Sequence, residues 1–303
     1  MNVLQKQVEL SALFKAASAR KRRQQRVAFA LLRGMSVLVA LLLLLIVGYI
    51  AVKGAPSLSW EFLTTSPKNG MTEGGIFPAI VGTLCLAAGS MLFAFPVGVM
   101  AGIYLGEYVS NGPIKQFIRI MTNNLAGVPS VVFGLFGMSL FVNGLGFGSS
   151  ILAGSLTLAI MVLPVVIRTT EEALKAVDPA HRMGSYALGA TRWQTTRRVV
   201  LPQAMPGILT GFVLAVGRVS GETAPILFTA AAYFLTRLPE SIFDQVMALP
   251  YHLYVLATSG TDIEKSQPAA FGTALVLILL VLLMNMLTGL LRNRLNRKAG
   301  EKI

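Results

Sequence analysis

The chain has 303 residues, of which 54% are hydrophobic and 13% charged, and its mean hydropathy is +0.67. Soluble domains carry about 25% charged residues, so this composition sets the chain among membrane proteins. The net charge of +13 raises nucleic-acid binding, which the placement of the basic residues argues against, and the single cysteine, Cys85, excludes an internal disulfide.

A basic N-terminal stretch, residues 1–30, opens the chain. It is followed by an apolar run at 31–52, too long for a signal-peptide core and without a small-residue cleavage site after it, which reads as an uncleaved anchor. Further apolar segments predict transmembrane helices near 79–103, 125–143, 150–167, 207–228 and 269–291. Cys85 falls inside the second of these and reads as a small core residue. The fold expected is therefore an all-α integral membrane protein with six transmembrane helices. Its longest inner loop is 168–206, its outer loop 229–268 is read as partly helical and packed on the membrane surface, and a basic tail occupies 292–303.

Twenty-one of the 26 Lys and Arg residues fall in the N-terminus, the 104–124 loop, the 168–206 loop and the tail. The other loops hold only Lys53, Lys68, Arg237 and Lys265. This alternation is the positive-inside pattern and predicts both termini on the cytoplasmic side. A nucleic-acid patch would not recur on every second loop.

Small residues mark close helix approach in lipid. Gly98, Gly102 and Gly106 repeat at four-residue spacing, as do the pairs Gly207/Gly211 and Gly217/Gly221. Ordinary helix packing accounts for such pairs. Gly217 and Gly221 also leave room beside two charged residues.

Those residues are Arg218 and Glu222, in the run GILTGFVLAVGRVSGETAPILF from Gly207 to Phe228. As a helix this run would be about 33 Å long, and its midpoint falls at Gly217–Arg218. A charge at that depth costs roughly 2.5–3.5 kcal/mol on insertion scales. Two readings stand: an i,i+4 pair that joins helices, or a polar site used in transport. A guanidinium keeps its charge and can grip an oxyanion with two parallel hydrogen bonds. On the second reading Arg218 contacts the anion, Glu222 compensates Arg218 when the path is empty, and Ser220 and Thr223 are candidate hydroxyl donors. Pro225 should kink or open the helix one turn later. Arg168, at the inner end of the fourth span, reads from its place alone as a snorkelling anchor. Glu171 and Glu172 read as helix-start charges.

In the inner loop Asp178-Pro179 predicts a helix start, with Gly189 as its end. A second amphipathic helix is expected over TRWQTTRRVVLP. Two short helices there suit docking of a soluble partner or, alternatively, anchoring at the membrane surface through Trp193 and arginines.

The run from Gly189 to Leu201-Pro202, with Val199 between, resembles the loop motif of ABC-importer permeases. The stretches LGATRWQT…VVLP and GRVSGETAPILFTA, with GGIFPAIVGTL at 74–84 and NNLAGVPSVVFGL at 123–135, resemble the PstA-type permease family of phosphate importers from about residue 74 onward. The resemblance implies a type I ABC-importer permease fold with its core over 74–291. It implies ATP-driven import of inorganic phosphate across the bacterial inner membrane by alternating access. The implied partners are a second, PstC-like permease chain, a cytoplasmic ATPase dimer and an extracytoplasmic phosphate-binding protein. No cofactor is expected in this chain. Arg182, Ala187, Leu188, Gly189, Ala190, Trp193, Leu201 and Pro202 would form the ATPase-coupling loop, and the matching family position would give Arg168 a role in the phosphate path or the inner gate. Many permeases begin this motif with Glu-Ala-Ala; Met183, Gly184 and Ser185 stand there instead, which leaves Arg182 or Arg192 to supply the polar contact.

Other classes fit less well. An intramembrane enzyme lacks support: His181 and His252 fall on opposite sides, and no HExxH is present. No GxxxxGK[ST] occurs, so nucleotide hydrolysis belongs to a partner. A permease for another oxyanion or a phosphonate is the alternative within the class. A stand-alone anion channel leaves the inner loop without a purpose.

Overall fold

The computed structural model describes residues 2–110, 112–259 and 263–300. The chain divides into two compact units, Met1–Val52 and Lys53–Ile303. The first consists of a single continuous helix, α1 (Asn2–Gly54), which runs through the basic stretch and the apolar run alike and ends just inside the second unit. Every described side chain from Gln25 to Tyr49 is exposed. An all-round apolar helix with exposed leucines suits lipid rather than water.

The second unit opens with a short outer region. Helix α2 (Trp60–Thr64) is capped by the Ser59 hydroxyl, which accepts the Phe62 N–H at 3.0 Å. Strands β1 (Pro67–Lys68) and β2 (Glu73–Gly74) pair antiparallel. Helix α3 (Phe77–Ile103) then continues as a π-helical turn through Tyr108. The next apolar segment is not one straight span: α4 (Pro113–Ala126) and α5 (Ser130–Gly137) meet at a bend of 98°. Gly127 caps α4, and Pro129, with extended ψ of 140, is the N-cap of α5; a residue before proline disfavours the helical region, which suits a break at Val128. Helix α6 (Ile151–Lys175) extends past the expected inner boundary, so Glu171 and Glu172 lie in its last turns instead of starting a new helix.

The inner loop holds α7 (Pro179–Ala187) and α8 (Arg192–Thr195). The expected second loop helix is not separate. Helix α8 passes through a π-helical turn at Thr196–Val200 directly into α9 (Leu201–Gly221). Helix α9 stops at Gly221, short of the expected boundary at 228, and a four-residue helix α10 (Ala224–Leu227) follows. Pro225 lies in the first turn of α10, where its missing N–H is not needed. The outer segment contains α11 (Leu249–Thr258), and α12 (Ile263–Gly300) completes the chain. One face of α11 packs on the rest of the unit: Leu249, His252, Val255 and Leu256 are buried, and the Leu249 N–H donates to the Thr83 hydroxyl of α3 at 2.8 Å. Among the described residues five helices are long and apolar enough to cross a membrane, or six if the bent α4–α5 pair is one span.

Helix α6 forms the centre of this unit. On one side a β-carbon at Gly98 or Gly102 would meet Val166 at 2.7 Å or Thr170 at 2.6 Å, and Gly106 lies against Leu174. The constant offset makes α3 and α6 parallel. On the other side Gly207 lies against Ala173 and Gly211 against Thr169, which makes α9 antiparallel to α6. Leu158, Met161, Val162 and Val166 of α6 fill the main core with Ala215, Val216 and Val219 of α9.

Two expectations follow. Gly102→Val has no space beside Thr170, so it should cost the unit about 1–3 kcal/mol, read as a lower unfolding temperature of purified protein in detergent. His252 is 2% exposed and its Nδ1 has no hydrogen-bond partner among the described residues. Burial lowers its pKa from 6.5 to about 4. The folded state thus favours neutral imidazole, whose stabilisation is complete above about pH 6.5 and is lost as pH falls toward 4. Thermal unfolding followed across this interval should steepen with acid in the parent and flatten in His252→Leu.

Candidate functional site

Arg218 and Glu222 owe their position to the end of α9. Arg218 occupies its last turn, where the carbonyl end of the helix favours a cation. Glu222 is no longer helical; it is the C-cap residue, with extended backbone angles of φ −79 and ψ 128. The pair therefore sits at a break in the span, a correction to its expected place in mid-helix. Nε of Arg218 donates to Oε1 of Glu222 at 3.4 Å, with the two side chains 33% and 20% exposed. This is one long contact, and the remaining guanidinium N–H groups have no acceptor among the described residues. The register of α9 on α6 fixes the depth. Continuing from Gly211 opposite Thr169, seven residues bring Arg218 opposite Val162, at the middle of Ile151–Lys175.

The other residues expected in the path divide. Ser220 is 2% exposed, and its hydroxyl donates back to the Val216 carbonyl at 2.8 Å and to the Met284 sulfur at 3.6 Å. It joins α9 to α12 and does not face a path, the helix-hydroxyl behaviour that competes with any external role. Thr223 sits half-buried beside Glu222 at the start of α10, with no side-chain capping bond. Arg168 is not brought to Arg218. It is exposed at the far end of α6, where Nη1 donates to Asn123 Oδ1 at 2.9 Å and Nε to Glu172 Oε1 at 3.1 Å.

The small residues beside the pair also differ from one another. Gly217 faces the side-chain amide of Asn285 on α12, whereas Gly221 has nothing within 4 Å of where a β-carbon would stand. Asn285 Oδ1 is buried without a hydrogen-bond partner among the described residues. Asn285 was not among the expected site residues. Its signal was present, as the one amide in the apolar run 269–291.

The inner loop has a built terminus at each helix. The Asp178 carboxylate accepts the Ala180 N–H at 2.8 Å, and Gly189 turns the chain at φ +80, where a β-carbon would strain the backbone. Thr191 and Gln194 form a capping box for α8. Pro202 has no N–H for the carbonyl four residues back, and the helix widens to a π turn just before it. These turns leave Leu188 at 90% exposure, with Met183, Ala187, Arg192 and Trp193 also on the surface. Leu201 packs partly against the core of Leu174, Val177 and Val200. Ala190 is partly buried.

Arg182 points the other way. Its guanidinium reaches Glu107 at 2.6 and 3.3 Å, the Leu174 carbonyl at 2.8 Å and the Val177 carbonyl at 2.9 Å. Four bonds to the ends of α3 and α6 leave it no reach to a partner, so the expected alternative of Arg182 as the external polar contact is set aside and the exposed Arg192 remains. Glu107 was also unforeseen, although it is the single carboxylate between Gly74 and Thr170.

Among the described residues no group of three or more His, Cys, Asp and Glu could hold a metal ion. The site is instead a cation with a loosely held counter-charge, placed in the middle of an apolar bundle and joined through α9 to an exposed loop.

A family profile described as binding-protein-dependent transport system inner membrane component matches residues 98–300. The probable ABC transporter permease protein YqgI of Bacillus subtilis is 35% identical over 262 residues, covering 83% of this chain and 89% of that protein. The phosphate transport system permease protein PstA of Mycobacterium leprae is 40% identical, covering 75% of this chain and 74% of that protein. PstA of Haemophilus influenzae is 36% identical, with 78% and 83% covered. Among solved structures, a bacterial ABC transporter that imports alginate aligns with a TM-score of 0.60 at 18% identity, covering 85% of this chain and 94% of that one. The methionine transporter MetNI in an inward-facing form aligns with a TM-score of 0.56 at 18% identity, covering 73% and 94%. At this identity the likeness is one of fold.

The Arg182 clamp predicts the behaviour of the loop. Arg182→Ala removes charge-assisted bonds worth about 2–3 kcal/mol and should free α7. Trypsin cleavage after Arg192 should then quicken several-fold in the folded protein, whereas an unchanged rate would mean that α7 is held by other contacts.

Proposed function

This chain belongs to the family of binding-protein-dependent transport system inner membrane components, and on that basis we propose that it is the permease subunit of an ATP-driven importer of inorganic phosphate. Relatives named as phosphate permeases, 36% and 40% identical over most of their length, support the substrate. The observation that carries the reading is Arg218, set opposite the middle of α6 with Glu222, at 3.4 Å, its one ion-pair partner among the described residues.

Phosphate can offer two oxygens to the guanidinium N–H groups that Glu222 leaves unused. Glu222 lies past the helix end, where its backbone is not bound into the helical ladder, so it can yield to the entering anion and return as the anion leaves. Its charge weakens the hold on phosphate enough for release. A lone mid-bundle arginine in a permanently open path would leak anions, so the two faces open alternately. Asn285 across Gly217 supplies a neutral polar group at the same depth.

The remaining parts of the reading concern the assembly. A second, PstC-like permease chain completes the pore, and an extracytoplasmic protein delivers phosphate. A pair of ATPase subunits docks on Leu188, Trp193 and their neighbours and hydrolyses the ATP, so this chain is a transport subunit and not itself an enzyme. The chain lies in the bacterial inner membrane with both termini cytoplasmic, as the distribution of Lys and Arg indicates. A permease for a phosphonate or another oxyanion has the same site chemistry, and competition for uptake separates these substrates.

Labelled phosphate uptake into vesicles holding the whole assembly tests the reading. Arg218→Gln should lower uptake roughly 30- to 150-fold, the loss of about 2–3 kcal/mol of charge-assisted bonding, with the partners still co-purifying. Glu222→Gln should retain assembly and loosen the link between ATP hydrolysis and uptake. Normal uptake by Arg218→Gln would reduce the pair to a structural joint.

A further inference from the structure

The inner end of α6 carries charges that the pair at Arg218 and Glu222 leaves unexplained. There α4 and α6 enclose a cleft of about 180 Å³, lined by Arg119 and Asn123 of α4 and by Arg168, Glu171, Glu172 and Lys175 of α6. Glu171 is buried, and one of its carboxylate oxygens takes both Arg119, through Nε at 3.0 Å and through Nη2, and Lys175 at 3.2 Å. Glu172 pairs only with Arg168, at 3.1 Å. Three cations thus share two carboxylates. The carboxylate that neutralises two of them is the buried member, while Arg119 and Lys175 keep 38% and 53% of their side chains exposed. Glu172 is exposed as well, at 61%, but it stands beside the equally exposed Arg168, so the open part of the cleft holds three cations against one carboxylate.

The register along α6 orders these groups by depth. Arg218 stands opposite Val162. Arg168 lies six residues further and Lys175 thirteen, about 9 and about 20 Å along the helix. The bent pair α4–α5 runs beside both levels. Gly134 of α5 lies against Ala224, Pro225 and Phe228, just past Glu222, while Asn123 of α4 holds Arg168. The cleft charges thus lie between the level of Arg218 and the exposed loop, on the side of α6 that α4–α5 covers, while α9 packs on the neighbouring side through Ala173 and Thr169.

The geometry points to a second oxyanion site in this cleft, an exit station that receives phosphate from Arg218 and passes it to the inner side. This rests on the phosphate reading of Arg218. Arg119, Arg168 and Lys175 hold the anion, and Glu171 limits how tightly they do so. The incoming oxyanion replaces part of the shared carboxylate contact of Arg119 and Lys175, and the buried Glu171 takes them back when it leaves. No bond is made or broken beyond hydrogen bonds and ion pairs.

The test uses the complete importer in vesicles, with ATP and unlabelled phosphate inside, labelled phosphate and binding protein outside, and ionic strength constant. Internal phosphate should slow uptake by occupying the exit station. Lys175→Glu should raise the half-inhibiting internal concentration roughly fivefold, the effect of about 1 kcal/mol. Glu171→Gln, which keeps the shape and removes the competing charge, should lower it by a similar factor and slow release. Opposite shifts in two variants that both co-purify with their partners are the signature, because a purely structural role would impair both alike. If Lys175→Glu fails to assemble, the gentler Lys175→Gln carries the same measurement with a smaller shift. Absence of inhibition in the unaltered importer, or a half-inhibiting concentration unmoved in both variants, overturns the exit station. Normal uptake by Arg218→Gln overturns the phosphate reading instead, so the two failures are distinguishable.

Discussion

Glycines at 98, 102 and 106 on one side, and at 207 and 211 on the other, let two helices press their backbones against α6. In lipid this close approach is what holds helices together, since water supplies little drive between them. It also fixes register, because a β-carbon at these places would strike Val166, Thr170 or Ala173. A one-turn slip of α9 would carry Arg218 about 5 Å along the bundle. The depth of every charge considered above depends on that interlock.

The same sandwich joins the exposed loop to the charged pair. Helix α6 enters the loop at Lys175, and α8 leaves it without interruption into α9, whose last turn carries Arg218. Arg182 ties α7 to Glu107 at the end of α3 and to the last carbonyls of α6. A push on Leu188 or Trp193 therefore reaches all three central helices as one body. The π-helical turn at Thr196–Val200 is the place in this path where the regular ladder changes.

Charges within the apolar unit fall into two kinds. Glu107–Arg182 is bound from four directions at the inner end and is shielded, so it serves as a fastener. Arg218–Glu222 is one long contact at a helix break and leaves donors unused. The cost of an ionised group in an apolar bundle is offset in the first case by hydrogen bonds made within the chain. In the second a single contact at 3.4 Å offsets little of it, which is why the looser pair is the better candidate for transport.

Much of this protein was legible along the chain. Apolar run lengths gave the long helices, because a bilayer demands about 20 apolar residues in a row. Asp178-Pro179 and Gly189 marked the ends of α7, since capping depends on neighbours a few residues away. Charge at Arg218 and Glu222 stood out against apolar surroundings. The end of α9 at Gly221 was misjudged because composition continues unbroken to Phe228 while the backbone does not. Ser220 looked available until its hydroxyl was seen bonded to Val216 and Met284. Arg119 with Glu171 and Arg182 with Glu107 join residues 52 and 75 positions apart, and only the packing of α3, α4 and α7 around α6 decides such pairs. The sequence by itself determined which segments leave water and where charge is expensive, because transfer free energy belongs to each residue. The tertiary structure alone decided which charges are satisfied, because that depends on the register of helices far apart in the chain.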